Sequence, residues 1–291
     1  MIRVEELSKR YGAELALDAV DITVPQGSVY GLVGPNGAGK TTLLAILARL
    51  RTATSGSFHI DAPGAEIAVL PDAPRFERWL TAREVVDLAG SLVGVSDPDA
   101  SMRVLAQAGL SEAADRRVGG FSRGMLQRLG LAATVIGAPR VLLLDEPASA
   151  LDPAGRREVL DLVGEMRGSA TVVFSSHILG DVESVCDRVG ILRDGEQVYE
   201  GSTDRLIAGY ATPGFDIEVR SGAGRVAERL RSLPWVTSAD VENDASVRLL
   251  VTSLDVAERS ISGVLAESGA AVVSVAPSVP SLESVFLELT R

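Results

Sequence analysis

Gly34-Pro35-Asn36-Gly37-Ala38-Gly39-Lys40-Thr41, with Thr42 behind it, is the stretch on which the reading of this chain turns. It has two glycines five positions apart, then a lysine and a hydroxyl, which is the pattern of a phosphate-binding loop. Its surroundings suit that use. Val20 begins a strand pattern, Pro25 to Gly27 reads as a turn, Ser28 to Val33 as a buried strand, and Thr41 to Leu50 has helical character. Glycines let successive backbone N–H groups curl around phosphate oxygens, and the following helix aims its positive end at the same anion. Lys40 then reaches the β and γ phosphates while the Thr41 hydroxyl ligates Mg²⁺. A plain glycine turn with a surface lysine would not need a strand before it and a helix after it.

A second acidic feature fits the first. Val141-Leu142-Leu143-Leu144-Asp145-Glu146-Pro147 is a short apolar run that ends in two acids, so a buried strand delivers carboxylates at its carboxyl end. Ligands of open α/β sheets bind there. Asp145 is placed to hold Mg²⁺ through its water shell, and Glu146 to polarise an attacking water as general base.

Outward from these motifs, Ser57 to Ile60 and Glu66 to Leu70 read as short strands, and about 81 to 136 as a helical insert. Strands return at Val141 to Leu144 and Thr171 to Phe174 around a helix from Pro153 to Arg167, which predicts a parallel crossover. Val189 to Arg193, Asp194-Gly195, then Gln197 to Glu200 carries a hairpin signature. A boundary falls near Gly209 to Gly214, dividing residues 1–209 from 210–291. The second part reads strand Asp216 to Arg220, helix Arg225 to Leu233, two strands about the Glu242 to Ala245 turn, helix Asp255 to Ser268 and strand Ala271 to Val275. That β-α-β-β-α-β order is ferredoxin-like. A last amphipathic helix is expected at Ser281 to Leu289.

Composition narrows the function classes. Among 291 residues 46% are hydrophobic but only 4% aromatic, so the core is built of aliphatic residues, as in helices packed on a largely parallel sheet. The fold class expected is α/β, a phosphate-loop ATPase domain with a helical subdomain and a small α+β carboxyl-terminal domain. A net charge of −11 disfavours nonspecific nucleic-acid binding, which needs an excess of clustered cations. Lysine occurs only at Lys9 and Lys40, which draws attention to both. The single cysteine, Cys186, excludes an intrachain disulfide. No apolar run approaches the roughly 18 to 20 residues of a membrane-spanning helix, and the amino terminus starts on the alternation Ile2, Val4, Leu7 without a signal peptide.

Further motifs follow in the order of one family. Phe121-Ser122-Arg123-Gly124-Met125, ahead of Gln127-Arg128, resembles the signature of the ABC-type ATPases, although Arg123 replaces the usual first glycine and Met125 a common glutamine. Ser149-Ala150-Leu151-Asp152 resembles their D-loop, and His177, after Ser175-Ser176, their switch histidine. Tyr11 resembles the aromatic that stacks on adenine. After Glu66 to Leu70 the family has a glutamine, whereas this chain reads Pro71-Asp72-Ala73, so Asp72 stands either as a Mg²⁺ ligand or as a loop-capping aspartate. His59 has no motif around it. The resemblance covers about Ile2 to Leu206, and the ending from Pro280 to Thr290 resembles subunits of antibiotic and multidrug exporters.

The resemblance implies ATP and Mg²⁺ as ligands, bound by Tyr11, Gly34 to Thr42, Ser122, Gly124 and Asp152, with Thr41, Asp145 and Asp72 toward the metal. It makes Lys40, Glu146 and His177 the residues of hydrolysis. It implies a pair of such chains, identical or related, head to tail, with Ser122 and Gly124 of one facing the phosphates held by the other. It implies a separate membrane permease above the pair, no nucleic-acid partner and a cytoplasmic place on the inner membrane face. Two rivals stand beside it: a soluble ABC ATPase acting on ribosome or DNA, and a nucleotide-regulated binding module with little turnover.

Overall fold

The computed structural model describes residues 1–149, 151–210 and 213–278, together with Leu282, Val285 and Phe286. Within the expected terminal helix, Ser281 and the remaining positions other than these three lie outside the described residues, as do Ala211 and Thr212 at the expected boundary.

The chain opens with β1 (Ile2–Tyr11) and β2 (Glu14–Val24), whose alternating burial presents Ile2, Val4, Leu17, Val20 and Val24 to one side. After a turn come β3 (Val29–Val33), α1 (Lys40–Leu47), β4 (Ser55–Ile60) and β5 (Ile67–Leu70). The insert then forms α2 (Ala82–Leu92), α3 (Ala100–Gln107) and α4 (Arg123–Val135). They pack on Val85, Val86, Leu105, Leu110, Val118 and Leu129. Thr81 and Glu84 form a reciprocal capping box at the start of α2, which defines where the helical region begins.

Then follow β6 (Val141–Leu144), α5 (Pro153–Glu165), β7 (Thr171–Ser176), α6 (Leu179–Val185), β8 (Arg188–Arg193) and β9 (Glu196–Ser202). α6 has no counterpart among the helices expected from periodicity, because seven residues span too few turns to display it. Asp194 and Gly195 both have positive φ (52° and 84°), the backbone that an Asp-Gly hairpin turn needs.

Six of these strands form one sheet in the order β5-β6-β7-β3-β8-β9, parallel except for β9 at its edge. A second, antiparallel sheet has the order β2-β1-β4. Leu43, Ile46 and Leu47 of α1 share a single core with Ile2, Leu7 and Leu17 of the small sheet and with Leu32, Leu143 and Val173 of the large one. Burying each such side chain stabilises by about 1.5–3 kcal/mol, so the helix behind the glycine loop is firmly anchored.

The chain divides into two compact units, Met1–Asp204 and Arg205–Arg291. α7 (Thr203–Tyr210) runs across the division. The second unit contains β10 (Gly214–Val219), α8 (Ala223–Arg231), β11 (Val236–Asn243), β12 (Ser246–Val251), α9 (Leu254–Glu267) and β13 (Val272–Pro277). Its sheet is antiparallel throughout, in the order β11-β12-β10-β13, which is ferredoxin-like. It has its own core, centred on Ile217, Val226, Leu230, Leu249 and Ile261. On β12, Val247, Leu249 and Val251 face that core, while Arg248 pairs with Asp216 at 3.1 Å and with Glu242 at 3.0 Å.

Candidate nucleotide-binding site

Strand register decides what meets at the carboxyl edge of the large sheet. Leu144 lies level with Phe174, and Val33 level with Ser176. Asp145 therefore emerges beside Ser175, and Gly34 beside His177, although they are far apart in the chain.

The loop after β3 is built for close approach. A Cβ on Gly34 would stand 2.2 Å from the Leu192 carbonyl oxygen, so only glycine fits there. Gly39 caps α1 at φ 101°, and a Cβ would lie 2.5 Å from the Ala16 carbonyl. No acidic residue occupies the first turn of α1, which leaves its N–H groups and positive potential to an anion. The Lys40 ammonium is buried. It donates to the carbonyls of Gly34 at 2.6 Å and Pro35 at 3.2 Å, and lies 3.6 Å from Glu146 Oε1.

The acids are held with equal care. The Asp145 N–H donates to the Leu70 carbonyl at 2.8 Å, tying the end of β6 to the end of β5 and hence to Asp72 two residues on. Ser175 Oγ donates to Asp145 Oδ1 at 2.6 Å and accepts the Glu146 N–H at 2.8 Å. His177 Nδ1 lies 2.8 Å from Glu146 Oε2. Glu146 Oε1 is buried and has no hydrogen-bond partner among the described residues. One oxygen of this carboxylate is thus oriented and the other is left with free acceptor capacity.

Tyr11, Asn36 to Thr42, Asp72 and Glu146 line one cleft of about 380 Å³. Lys9 Nζ lies over the ring of half-exposed Tyr11, 5.0 Å from its centre. Ser149 Oγ reaches Asp72 Oδ1 at 3.4 Å, a long contact that leaves most of that carboxylate open. Ser122, Gly124 and Asp152 do not line the cleft. Ser122 caps α4 by accepting the Met125 N–H at 3.2 Å, and Asp152 caps α5 by accepting the Gly155 N–H at 3.0 Å. Ala150 lies outside the described residues. His59 pairs with Asp61 at 2.7 Å on the exposed end of β4, away from the cleft.

Three positions here were not singled out from the chain. Glu14 and Ala16 enter the cleft from β2, where nothing in the local pattern marks them. Ser175 carried a signal, as the first of two serines between an apolar run and the histidine, whose meaning depends on what faces it.

A glycine cradle on a helix amino terminus, a buried lysine and paired acids at the carboxyl end of one parallel strand define a phosphate-loop nucleoside triphosphatase. The model of the ABC transporter family matches residues 17–149. The ABC transporter ATP-binding protein YxlF of Bacillus subtilis (strain 168) is 36% identical over the whole of both chains. The daunorubicin resistance ATP-binding protein DrrA3 of Streptomyces coeruleorubidus is 34% identical over 99% of this chain and 95% of that protein. A solved ATP-binding subunit of an ABC transporter is 27% identical, with a TM-score of 0.66, over 72% of this chain and 93% of its own. The chain belongs to the ABC transporter family, as one of its ATP-binding, ATP-hydrolysing subunits.

Proposed function

We propose that this chain powers export through a separate membrane permease, with ATP bound in the cleft at Gly34 to Thr42 and Glu146 acting as general base. The observation that carries the reading is the Glu146 carboxylate: Oε2 is held by His177, while Oε1 is buried beside Lys40 with unused acceptor capacity. Such an oxygen suits a water positioned for in-line attack. Lys40 is already drawn into the loop by two carbonyls, so it can exchange them for phosphate oxygens without a large movement.

The donor set fits Mg²⁺ that arrives with the nucleotide. Among the described residues there is no cluster of three or more His, Cys, Asp or Glu side chains to cage an ion. Thr41, Asp145 and Asp72 offer one hydroxyl and two carboxylates, which suits an ion that keeps its waters and takes its other ligands from phosphate. When bound, Mg²⁺ would supply neutralising charge at the β and γ phosphates.

Ser122, Gly124 and Asp152 point to a pair of subunits, because they stand off the cleft at exposed helix starts where a second chain's nucleotide can meet them. ATP between the two half-sites joins them, and loss of the γ phosphate releases them, a two-state device. Residues 1–209 carry this work, and 210–291 form a separate stabilising unit. No helix among the described residues is long and apolar enough to cross a membrane, and in this reading the permease is the part that spans it. A cleft of about 610 Å³ beside the insert, lined by Pro71, Phe76, Leu92 and Val93, with Trp79 and Leu88 exposed nearby, offers that partner an apolar seat. Export is favoured because relatives include daunorubicin resistance and bacitracin transport proteins.

The test is Glu146→Gln with ATP, captured from native membranes. Expected are a stable dimer, turnover reduced at least a hundredfold and a co-purifying multi-helix membrane protein. Unchanged turnover refutes Glu146 as base, and recovery of ribosomal or DNA-bound partners instead refutes the transporter reading.

A further inference from the structure

Ser175 lies between the two acids and is completely buried at the end of β7. Its hydroxyl has one proton to give and lone pairs to accept, and both capacities are used: the proton goes to Asp145 Oδ1 at 2.6 Å and the oxygen takes the Glu146 N–H at 2.8 Å. One side chain therefore grips Asp145 by its carboxylate and Glu146 by its backbone.

That backbone is unusual. Glu146 has φ 49°, the left-handed region, which costs a non-glycine residue free energy and persists only where the surroundings enforce it. Three hydrogen bonds do so here: Ser175 takes the N–H, while Ser149 N and Oγ donate to the Glu146 carbonyl at 3.2 Å and 3.1 Å. The twist turns the Glu146 side chain from the sheet toward Lys40 and His177. A Cβ–H in place of the Ser175 hydroxyl would leave a buried N–H without a partner and remove the donor from Asp145.

We propose that Ser175 is a positioning residue for hydrolysis: it locks the left-handed turn at Glu146 and so fixes the aim of the general base while registering it against Asp145. This rests on the reading of Glu146 as that base. Ser176, the neighbouring hydroxyl, is engaged elsewhere, since it accepts the Ile178 N–H at 3.0 Å and faces Asp181 at 3.3 Å, away from both acids.

The experiment compares steady-state ATP hydrolysis, ATP affinity and thermal midpoint of the full-length chain in wild type, Ser175→Ala, Ser175→Thr, Ser175→Cys and Glu146→Gln, and in the Ser175→Ala, Glu146→Gln double variant. Expected is a fall in kcat of tenfold or more for Ser175→Ala, with ATP affinity within threefold of wild type. Thr, which keeps the hydroxyl, should stay within threefold in kcat, and Cys, which weakens both bonds, should lie between. In the Glu146→Gln background the Ala change should cost no further turnover. Wild-type kcat in Ser175→Ala, or in Ser175→Cys if the Ala variant does not fold, overturns the proposal, as does an additive loss in the double variant. Glu146→Gln turning over at the wild-type rate would instead show that the underlying reading had failed.

Discussion

Two glycines of one loop should respond differently to the same added methyl group. At Gly34 an Ala Cβ would lie 2.2 Å from the Leu192 carbonyl oxygen and 3.0 Å from the Ala38 Cβ. Leu192 is fully buried in β8, which is paired on both sides, so the obstacle is a backbone that cannot step aside. Overpacking against side chains costs about 1–3 kcal/mol, and a fixed carbonyl puts Gly34→Ala at about 3 kcal/mol or more. At Gly37 the Cβ would meet nothing within 4 Å, and only the left-handed φ of 87° opposes it, at about 1–2 kcal/mol. For a unit of this size each kcal/mol moves the midpoint by roughly 2–4 °C. Thermal unfolding followed by circular dichroism should therefore show Gly34→Ala lower by about 6–12 °C or more, and Gly37→Ala by about 2–8 °C. The transition to score is the one that added ATP raises in wild type, since ligand binding marks the unit holding the loop. Equal shifts in the two variants, or a larger one at Gly37, would refute the argument that space rather than backbone twist reserves position 34 for glycine.

Thr81→Ala removes the hydroxyl half of the capping box at α2 and should lower stability by about 1 kcal/mol, read as a fall in the urea midpoint at unchanged slope; no change would mean that the Glu84 carboxylate alone suffices. Cys186 is buried, and burial pushes its thiol well above the ordinary range. The native state thus keeps its proton after the unfolded chain has lost it, so this group's contribution to stability is fully present below the ordinary thiol value and declines as pH rises through and beyond it. A maleimide at about pH 8, near the ordinary thiol value, should label Cys186 only after denaturation, and rapid labelling of the folded chain would contradict the burial.

The parts of the fold that depend on near neighbours were written locally. Strand, glycine loop and helix at residues 28–47, the Asp194-Gly195 hairpin and the β-α-β-β-α-β order of the second unit follow from turn chemistry and apolar periodicity, which need no distant partner. The short helix at 179–185 was not legible, being too brief to show a period. The pairing of β1 with β2 and β4 was equally hidden, because its register slips, among them those at Glu6 and Ala19 where left-handed non-glycine residues stand, break the alternation.

For the site, the chain itself supplied the inventory: a phosphate loop at 34–42, acids at 145 and 146, a histidine at 177, with a tyrosine at 11 and an aspartate at 72. Tertiary structure alone decided their arrangement. The order β6-β7-β3 brings three carboxyl ends side by side, and its register sets Asp145 against Ser175 and Gly34 against His177. That is a property of hydrogen-bonded strands far apart in sequence, which no local pattern encodes. It explains why Ser175 reads as one serine of a pair in the chain and as the clamp between two acids in the folded molecule.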